Sequence, residues 1–305
     1  MKQIVVISGK GGTGKTSLVA SLATLASKAV LADCDVDAAD LHLVLQPSTI
    51  YREEFYGGKQ ARIDTSRCTD CGTCVDLCRF GAISRNRSDN GNTPQTTAID
   101  PVACEGCGVC AWFCEEDAID LVHRASGEWF LSETRHGPMV HARLAAAAEN
   151  SGKLVSLVRS QARTTAETRN LDLVVVDGAP GIGCPVIASI TGADLVLVVT
   201  EPTLSGIHDL ERVIRLTKHF EIPAMVLVNK HDVNEELSNR AEQFAREQGA
   251  GIAGRVRYDD AVTKAQIRGL SVIEHSVNGA ATDIVGIWER VRAALGMGDI
   301  RPMEV

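Results

Sequence analysis

The sequence predicts an α/β fold with a mainly parallel sheet flanked by helices, on three observations. Short β-branched runs alternate with helical patterns along most of the chain. Aromatic residues are only 4% of the 305 residues, with Ala, Val, Leu and Gly dominating, and 45% of the residues are hydrophobic. Strands buried on both faces of a parallel sheet read as continuous apolar runs, so this balance suits helix-covered sheets better than a β-sandwich.

In chain order, the run Ile4 to Ile7 reads as a strand, Ser8 to Gly14 as a glycine-rich loop, and the Ala/Leu-rich stretch from about Thr16 as a helix. A second strand is expected at Ala29 to Asp33. From about Ile63 to Leu121 cysteines cluster and apolar periodicity fades, with Ser84 to Thr97 reading as a polar loop. Strand-like runs resume at Leu154 to Val158, Leu171 to Asp177, Asp194 to Thr200 and Ala224 to Asn229. Helical patterns cover Gly206 to His219 and Glu235 to Gln248. A last helix, Ala281 to Leu295, carries Ile284, Val285, Ile287, Trp288 and Val291 on an apolar stripe and is expected to pack in the core.

The formal net charge of -8 gives no general attraction to phosphate backbones or anionic lipid, and no local basic run compensates. Neither nucleic acid nor membrane is expected as a partner. The first apolar run is too short for a signal-peptide core, so the chain reads as cytoplasmic. Ten cysteines in a reducing compartment point to metal rather than disulfides.

Residues Gly9 to Thr16, GKGGTGKT, follow a strand and open a helix. Gly9, Gly11, Gly12, Thr13 and Gly14 let backbone N–H groups face phosphates, and the helix N-terminus, with Ser17 in its first turn, favours the same anion. Lys15 suits the β- and γ-phosphates, and the Thr16 hydroxyl suits Mg²⁺. This is a P-loop NTPase pattern for ATP or ADP.

With Lys10 the pattern becomes KGGTGKT, which resembles the deviant Walker A ATPases: MinD, ParA, the Mrp-type iron-sulfur carriers and the nitrogenase iron protein. The resemblance implies a homodimer formed on ATP binding, in which Lys10 reaches the partner's nucleotide as an arginine finger would. LADCDVDAAD resembles switch I, where Asp35 would orient or deprotonate the attacking water with support from Asp33. VVVDGAPGIG resembles switch II, where Asp177 would bind Mg²⁺. Asn229, after AMVLV, resembles the adenine-contacting position.

Cys68, Cys71, Cys74 and Cys78 form C-x2-C-x2-C-x3-C, and Cys104, Cys107, Cys110 and Cys114 repeat it 36 residues later within a wider duplication: CTDCGTCVDLCRFGAI recurs as CEGCGVCAWFCEEDAI. In this two-cluster ferredoxin spacing, the fourth cysteine of each run ligates the other 4Fe-4S cluster. Cluster one takes Cys68, Cys71, Cys74 and Cys114; cluster two takes Cys104, Cys107, Cys110 and Cys78. A four-cysteine zinc site is the competing reading, although zinc sites usually separate their pairs by a longer loop. Arg79 and Glu115 replace the usual proline after the fourth cysteine. Cys34 and Cys184 lie outside the quartets.

The domain expectation is a discontinuous ATPase domain, 1–60 and 123–305, with an inserted ferredoxin-like α+β module at 61–122. The combination resembles MinD-superfamily ATPases containing an inserted ferredoxin domain. That resemblance implies Mg-ATP hydrolysis coupled to assembly or delivery of a metal cluster, with a client of the nitrogenase-cofactor or orange-protein type. The alternatives are an ATP-gated electron donor to a metalloprotein and a positioning or scaffold ATPase in the MinD/ParA manner.

Overall fold

The computed structural model describes residues 1–26, 28–86, 96–145 and 151–298. Its elements are β1 (Lys2–Ser8), α1 (Lys15–Leu25), β2 (Ala29–Asp33), α2 (Leu41–Leu45), β3 (Ser48–Ile63), α3 (Thr73–Leu77), β4 (Ile83–Asn86), β5 (Thr96–Ile99), α4 (Val109–Trp112), β6 (Ile119–Thr134) and β7 (Gly137–Leu144). They continue as α5 (Ser151–Thr168), β8 (Leu173–Pro180), α6 (Cys184–Ile190), β9 (Leu195–Thr200), α7 (Leu204–His219), β10 (Ala224–Asn229), α8 (Glu235–Glu247), β11 (Gly251–Val256), α9 (Asp260–Ile267), α10 (Val272–His275) and α11 (Ala280–Ala294). The chain forms two compact units, Met1–Glu53 with Trp129–Arg143 and Ser151–Val305, and Glu54–Glu128 with Leu144–Asn150. By chain range, β3 and β6 contribute residues to both.

In the first unit the sheet runs β11-β10-β9-β1-β8-β2-β7, followed by this unit's own ends of β6 and β3. Every described pairing from β11 to β7 is parallel. The α/β architecture is therefore as expected: Ile4 to Ile7, Val30 to Ala32, Leu173 to Val176 and Val196 to Val198 are fully buried, because helices cover both faces of these strands. The order β9-β1-β8 reverses the direction of winding at β1, and loops leaving the carboxyl ends of such strands form the ligand crevice of open α/β sheets.

Two expectations need correction. Leu154 to Val158 is not a strand but part of α5, in which Leu154, Val155, Val158, Ala162 and Ala166 are buried at helical spacing. A five-residue stretch with four apolar residues fits either period, and only the residues beyond it decide. The expected polar loop at Ser84 to Thr97 begins and ends in structure, since Ile83↔Ile99 through Asn86↔Thr96 pair antiparallel; residues 87–95 lie outside the described set. The C-terminal helix packs as expected, with Ile284, Ile287, Trp288 and Val291 in the core, although Val285 is turned partly to solvent.

The second unit contains its own lengths of β3 and β6, the pair β4–β5, and the short helices α3 and α4. Among its described residues the buried hydrophobic side chains are Ala61, Ala82, Ile83, Ala118 and Ile119. That is a small apolar core for a unit of this length.

Candidate functional site

The loop between β1 and α1 opens onto a cavity of about 570 Å³, within the size range of small-molecule sites. Gly14 caps α1 with φ 88° and no side-chain cap hydrogen bond, leaving the first-turn N–H groups free for an anion. A Cβ there would lie 2.5 Å from Asn229 Nδ2 as well as requiring a left-handed backbone, so this position needs glycine. Gly11, Gly12, Lys15, Thr16, Ser17, Asp35 and Asn229 all line the cavity.

Lys15 is buried and its Nζ lies 3.6 Å from Asp35 Oδ2. Burial raises the Asp35 carboxyl, and Lys15 opposes that shift. Thr16 Oγ1 donates to Asp177 Oδ2 at 2.8 Å, while Asp177 Oδ1 is buried without a partner. Asp33 and Asp177 are register partners on adjacent strands. Burial pushes Asp177 up to about 6 against the pull of Lys15, and burial followed by the charge of Asp177 raises Asp33 well above the usual carboxylate range. Asp33 accepts the backbone N–H groups of Asp35 at 3.2 Å and Leu41 at 3.3 Å, holding the segment after β2 in place. A hydroxyl, an orphaned carboxylate oxygen and a second buried aspartate form a hard-oxygen donor set of the kind Mg²⁺ takes.

Lys10 turns toward its own subunit. Its Nζ lies 3.4 Å from Glu201 Oε2, with Thr203 Oγ1 and Ser205 Oγ each at 3.4 Å. Glu201 also holds Lys230 at 2.5 Å. Asn229 donates from Nδ2 to the Thr13 carbonyl at 2.8 Å, bracing the phosphate loop there, while its Oδ1 accepts the N–H of its chain neighbour Lys230 at 3.0 Å. Cys34 is fully buried, whereas Cys184 is exposed at the start of α6.

In the second unit the eight quartet cysteines divide between two cavities. Cys68, Cys71, Cys74 and Cys114 line one of about 130 Å³. Cys78, Cys104, Cys107 and Cys110 line a smaller one of about 20 Å³. Gly72 and Gly108, equivalent in the duplication, both take positive φ to start α3 and α4 inside their cysteine runs. Backbone N–H groups already point at two of the sulfurs, Ala61 N at Cys104 Sγ (3.4 Å) and Ala118 N at Cys114 Sγ (3.3 Å). Among the described residues, no three or more His, Cys, Asp or Glu side chains gather as a single metal ion requires.

Residues 4–272 match the family model described as the CobQ/CobB/MinD/ParA nucleotide binding domain. The chain belongs to this family. It is a P-loop ATPase of the deviant Walker A kind. It is 35% identical over 242 residues to the uncharacterized protein MJ0578 of Methanocaldococcus jannaschii, covering 76% of this chain and 79% of the relative. The MinD cell division protein of Aquifex aeolicus shares the fold, with TM-score 0.55, 20% identity and all of both chains covered. The septum site-determining protein MinD of Pyrococcus horikoshii, solved with Mg-ADP, gives TM-score 0.57 at 15% identity over 98% of this chain and 99% of its own.

Sequence reasoning about this ATPase missed several residues at its site. Glu201 was legible as a carboxylate in TEPT at the carboxyl end of a strand, the edge where ligands bind. Tyr258, Asp259 and Gln266 also line the nucleotide cavity, and Gln266 Nε2 donates to Ser17 Oγ at 2.7 Å. These side chains lie some 250 residues from the phosphate loop and carry no local motif. No helix among the described residues is long and apolar enough to cross a membrane.

Proposed function

We propose that this chain is a nucleotide-switched ATPase of the MinD/ParA type, acting in the cytoplasm and dimerising on ATP, whose residues 61–122 form an inserted ferredoxin-like domain for two 4Fe-4S clusters. In this reading the phosphate loop from Gly9 to Ser17 binds ATP, Lys15 balances the phosphate charge, and Lys10 serves the partner's nucleotide. Thr16 and Asp177 hold Mg²⁺, which supplies charge neutralisation at the phosphates. Asp35 orients the attacking water, and Asn229 contributes to the adenine side while bracing Thr13.

The observation that carries the cluster reading is the crosswise sharing of thiols: each cavity takes three cysteines from one run and the fourth from the other. This is the partition of two-cluster ferredoxins. A cubane, unlike a single ion, separates its four ligand sulfurs across its own width, so the thiols spread over the walls of the cavity of about 130 Å³ suit it, whereas the cavity of about 20 Å³ would have to widen to take one. The small apolar core of the unit fits the same reading, since small domains without a sufficient core commonly rely on metal.

The relatives favour a positioning or scaffold role over cluster assembly or electron donation. The Aquifex aeolicus and Pyrococcus horikoshii proteins are named for cell division and septum placement, and the former is also known as a MinC:MinD complex. The thiol-lined cavities are the observation that favours the second reading, ATP-coupled assembly or delivery of a metal cluster to a client. The discriminating experiment replaces all eight quartet cysteines with serine and follows localisation and anaerobic iron transfer in parallel. Unchanged localisation with no client defect supports positioning; normal localisation with loss of iron delivery supports assembly. Absence of ATP hydrolysis in the wild-type protein would sink both.

A further inference from the structure

The two copies of the cysteine repeat have diverged where they face solvent. Pro101–Leu121 contains Glu105, Glu115, Glu116, Asp117 and Asp120 and no Lys, Arg or His. Its counterpart 36 residues earlier, Thr65–Arg85, contains two carboxylates, Asp70 and Asp76, and three arginines, Arg67, Arg79 and Arg85. Where the first copy has Asp76 and Leu77, the second has Trp112 and Phe113; where the first has Arg79, Phe80 and Gly81, the second has Glu115, Glu116 and Asp117. Ligand geometry does not demand these differences, because the cysteine spacing is the same in both copies.

The divergent side chains are on the surface. Trp112 is 85% exposed and Phe113 is 55% exposed, and Glu115, Glu116 and Asp117 are all exposed beside them. They adjoin both thiol-lined cavities, since Trp112 and Phe113 lie between Cys110, which lines one, and Cys114, which lines the other. The turn that follows is fixed: Asp117 N donates to the Cys114 carbonyl at 3.1 Å and Ala118 N to Cys114 Sγ at 3.3 Å. The aromatic pair and the acidic run are therefore presented on a short, hydrogen-bonded segment. Of the five carboxylates, Asp120 is partly engaged, 3.6 Å from Arg67.

Adjacent exposed aromatics make a contiguous apolar patch of the kind that marks interaction sites, and Trp is among the residue types enriched at binding hot spots. A rim of one charge sign around an apolar centre selects a partner of the opposite sign. Against the same acidic patch of a second copy, or against an anionic membrane, this surface meets like charge. We infer that Trp112 and Phe113, with the exposed Glu115, Glu116 and Asp117 that follow them, form the docking site for a protein partner that presents a basic face with an apolar centre. The site deepens the client half of the proposed function and rests on that reading only for what the partner exchanges with the clusters.

The test uses the full chain purified anaerobically and cytochrome c as the basic protein probe, with binding measured calorimetrically at low and at physiological salt. Expected are binding that weakens as salt rises, a loss of roughly tenfold in affinity for Trp112→Ala, and a similar loss for Glu115→Arg combined with Glu116→Phe, which imports the first copy's residues. Asp76→Ala and Leu77→Ala, the equivalent changes in the first copy, should alter affinity less than about twofold. The inference is overturned if the two copies respond equally or if none of these variants matters. Trp112→Ala dissolving a self-association seen by sedimentation, or weakening attachment to anionic vesicles rather than to the probe, overturns it equally. Iron and sulfide are assayed on the same samples. Wild-type protein without iron that still binds the probe through Trp112 would defeat the cluster reading and leave the docking site standing.

Discussion

At the scale of single residues, the site concentrates negative charge that the fold alone does not need. Asp177 and Asp33 are buried on adjacent strands, and the charge of Asp177 adds to the cost of ionising Asp33. The folded pKa of Asp177, about 6, lies above its ordinary value of 3.8, so its ionised form destabilises the fold, a penalty that grows as pH rises from 3.8 through 6. Asp177→Asn is therefore expected to raise stability at pH 7 by about 1 kcal/mol in urea unfolding while lowering ATP hydrolysis by roughly 100-fold or more. Loss of stability together with loss of activity would mean that the carboxylate is structural. Glu201 offers a test of the opposite kind. It holds Lys10 within its own subunit, and a partly exposed ion pair of this sort is worth about 0.2–1 kcal/mol. Freeing Lys10 by Glu201→Gln is expected to lower the protein concentration giving half-maximal ATPase activity by roughly one and a half- to fivefold. An unchanged midpoint would show that Lys10 does not act across a dimer.

At the scale of elements, legibility followed burial. The inner strands β1, β2, β8, β9 and β10 are continuous apolar runs ended by a polar residue, Ser8, Asp33, Asp177, Thr200 and Asn229, and each was readable near its true bounds. The same regularity placed Lys15, Thr16, Asp35 and Asp177 together, because each follows or ends such a strand. β3, β6 and β7 were not expected. The sequence YREEFYGGKQAR of β3 is mostly exposed and has no alternation to read, so its pairing rather than its composition makes it a strand. The hairpin of β6 and β7 does contain one readable dependence. His141 on β7 stacks on Phe130 with ring centroids 5.0 Å apart and lies 2.9 Å from Ser132 Oγ. Burial, with His42 adding to it, lowers His141 from 6.5 to about 4. A histidine held neutral in this way contributes stability that is fully present above pH 6.5 and is lost as pH falls through about 4. The wild-type melting temperature should thus fall more steeply between pH 6.5 and 4 than that of His141→Gln, which keeps a hydrogen-bonding group at Ser132. Parallel pH profiles would remove His141 as the cause.

At the scale of the whole molecule, the two units differ in what can hold them folded. The first unit buries Ile4, Ile7, Leu22, Leu31, Leu154, Leu173, Leu197 and Leu210 completely, and at roughly 1.5–3 kcal/mol per large side chain such a core can offset its conformational entropy. The described residues of the second unit bury two isoleucines and three alanines among the hydrophobic residues, together with a few small polar side chains, and the eight cysteines contribute to the walls of two cavities. Its folding free energy should then come largely from whatever those thiols bind, because ligand binding to the folded form alone stabilises it by mass action. Thermal unfolding of the anaerobic protein is expected to show two transitions. Iron chelation should abolish or lower the one belonging to residues 54–128 while leaving the other, and ATP binding, in place. Refolding with iron and sulfide should restore the lost transition, whereas zinc restoring it equally well would favour the four-cysteine zinc alternative. Within the iron reading, Cys114→Ser should reduce the cluster held with Cys68, Cys71 and Cys74 and spare the other, leaving about half the iron per chain. Loss from the cluster of Cys104, Cys107 and Cys110 instead would overturn the crosswise assignment.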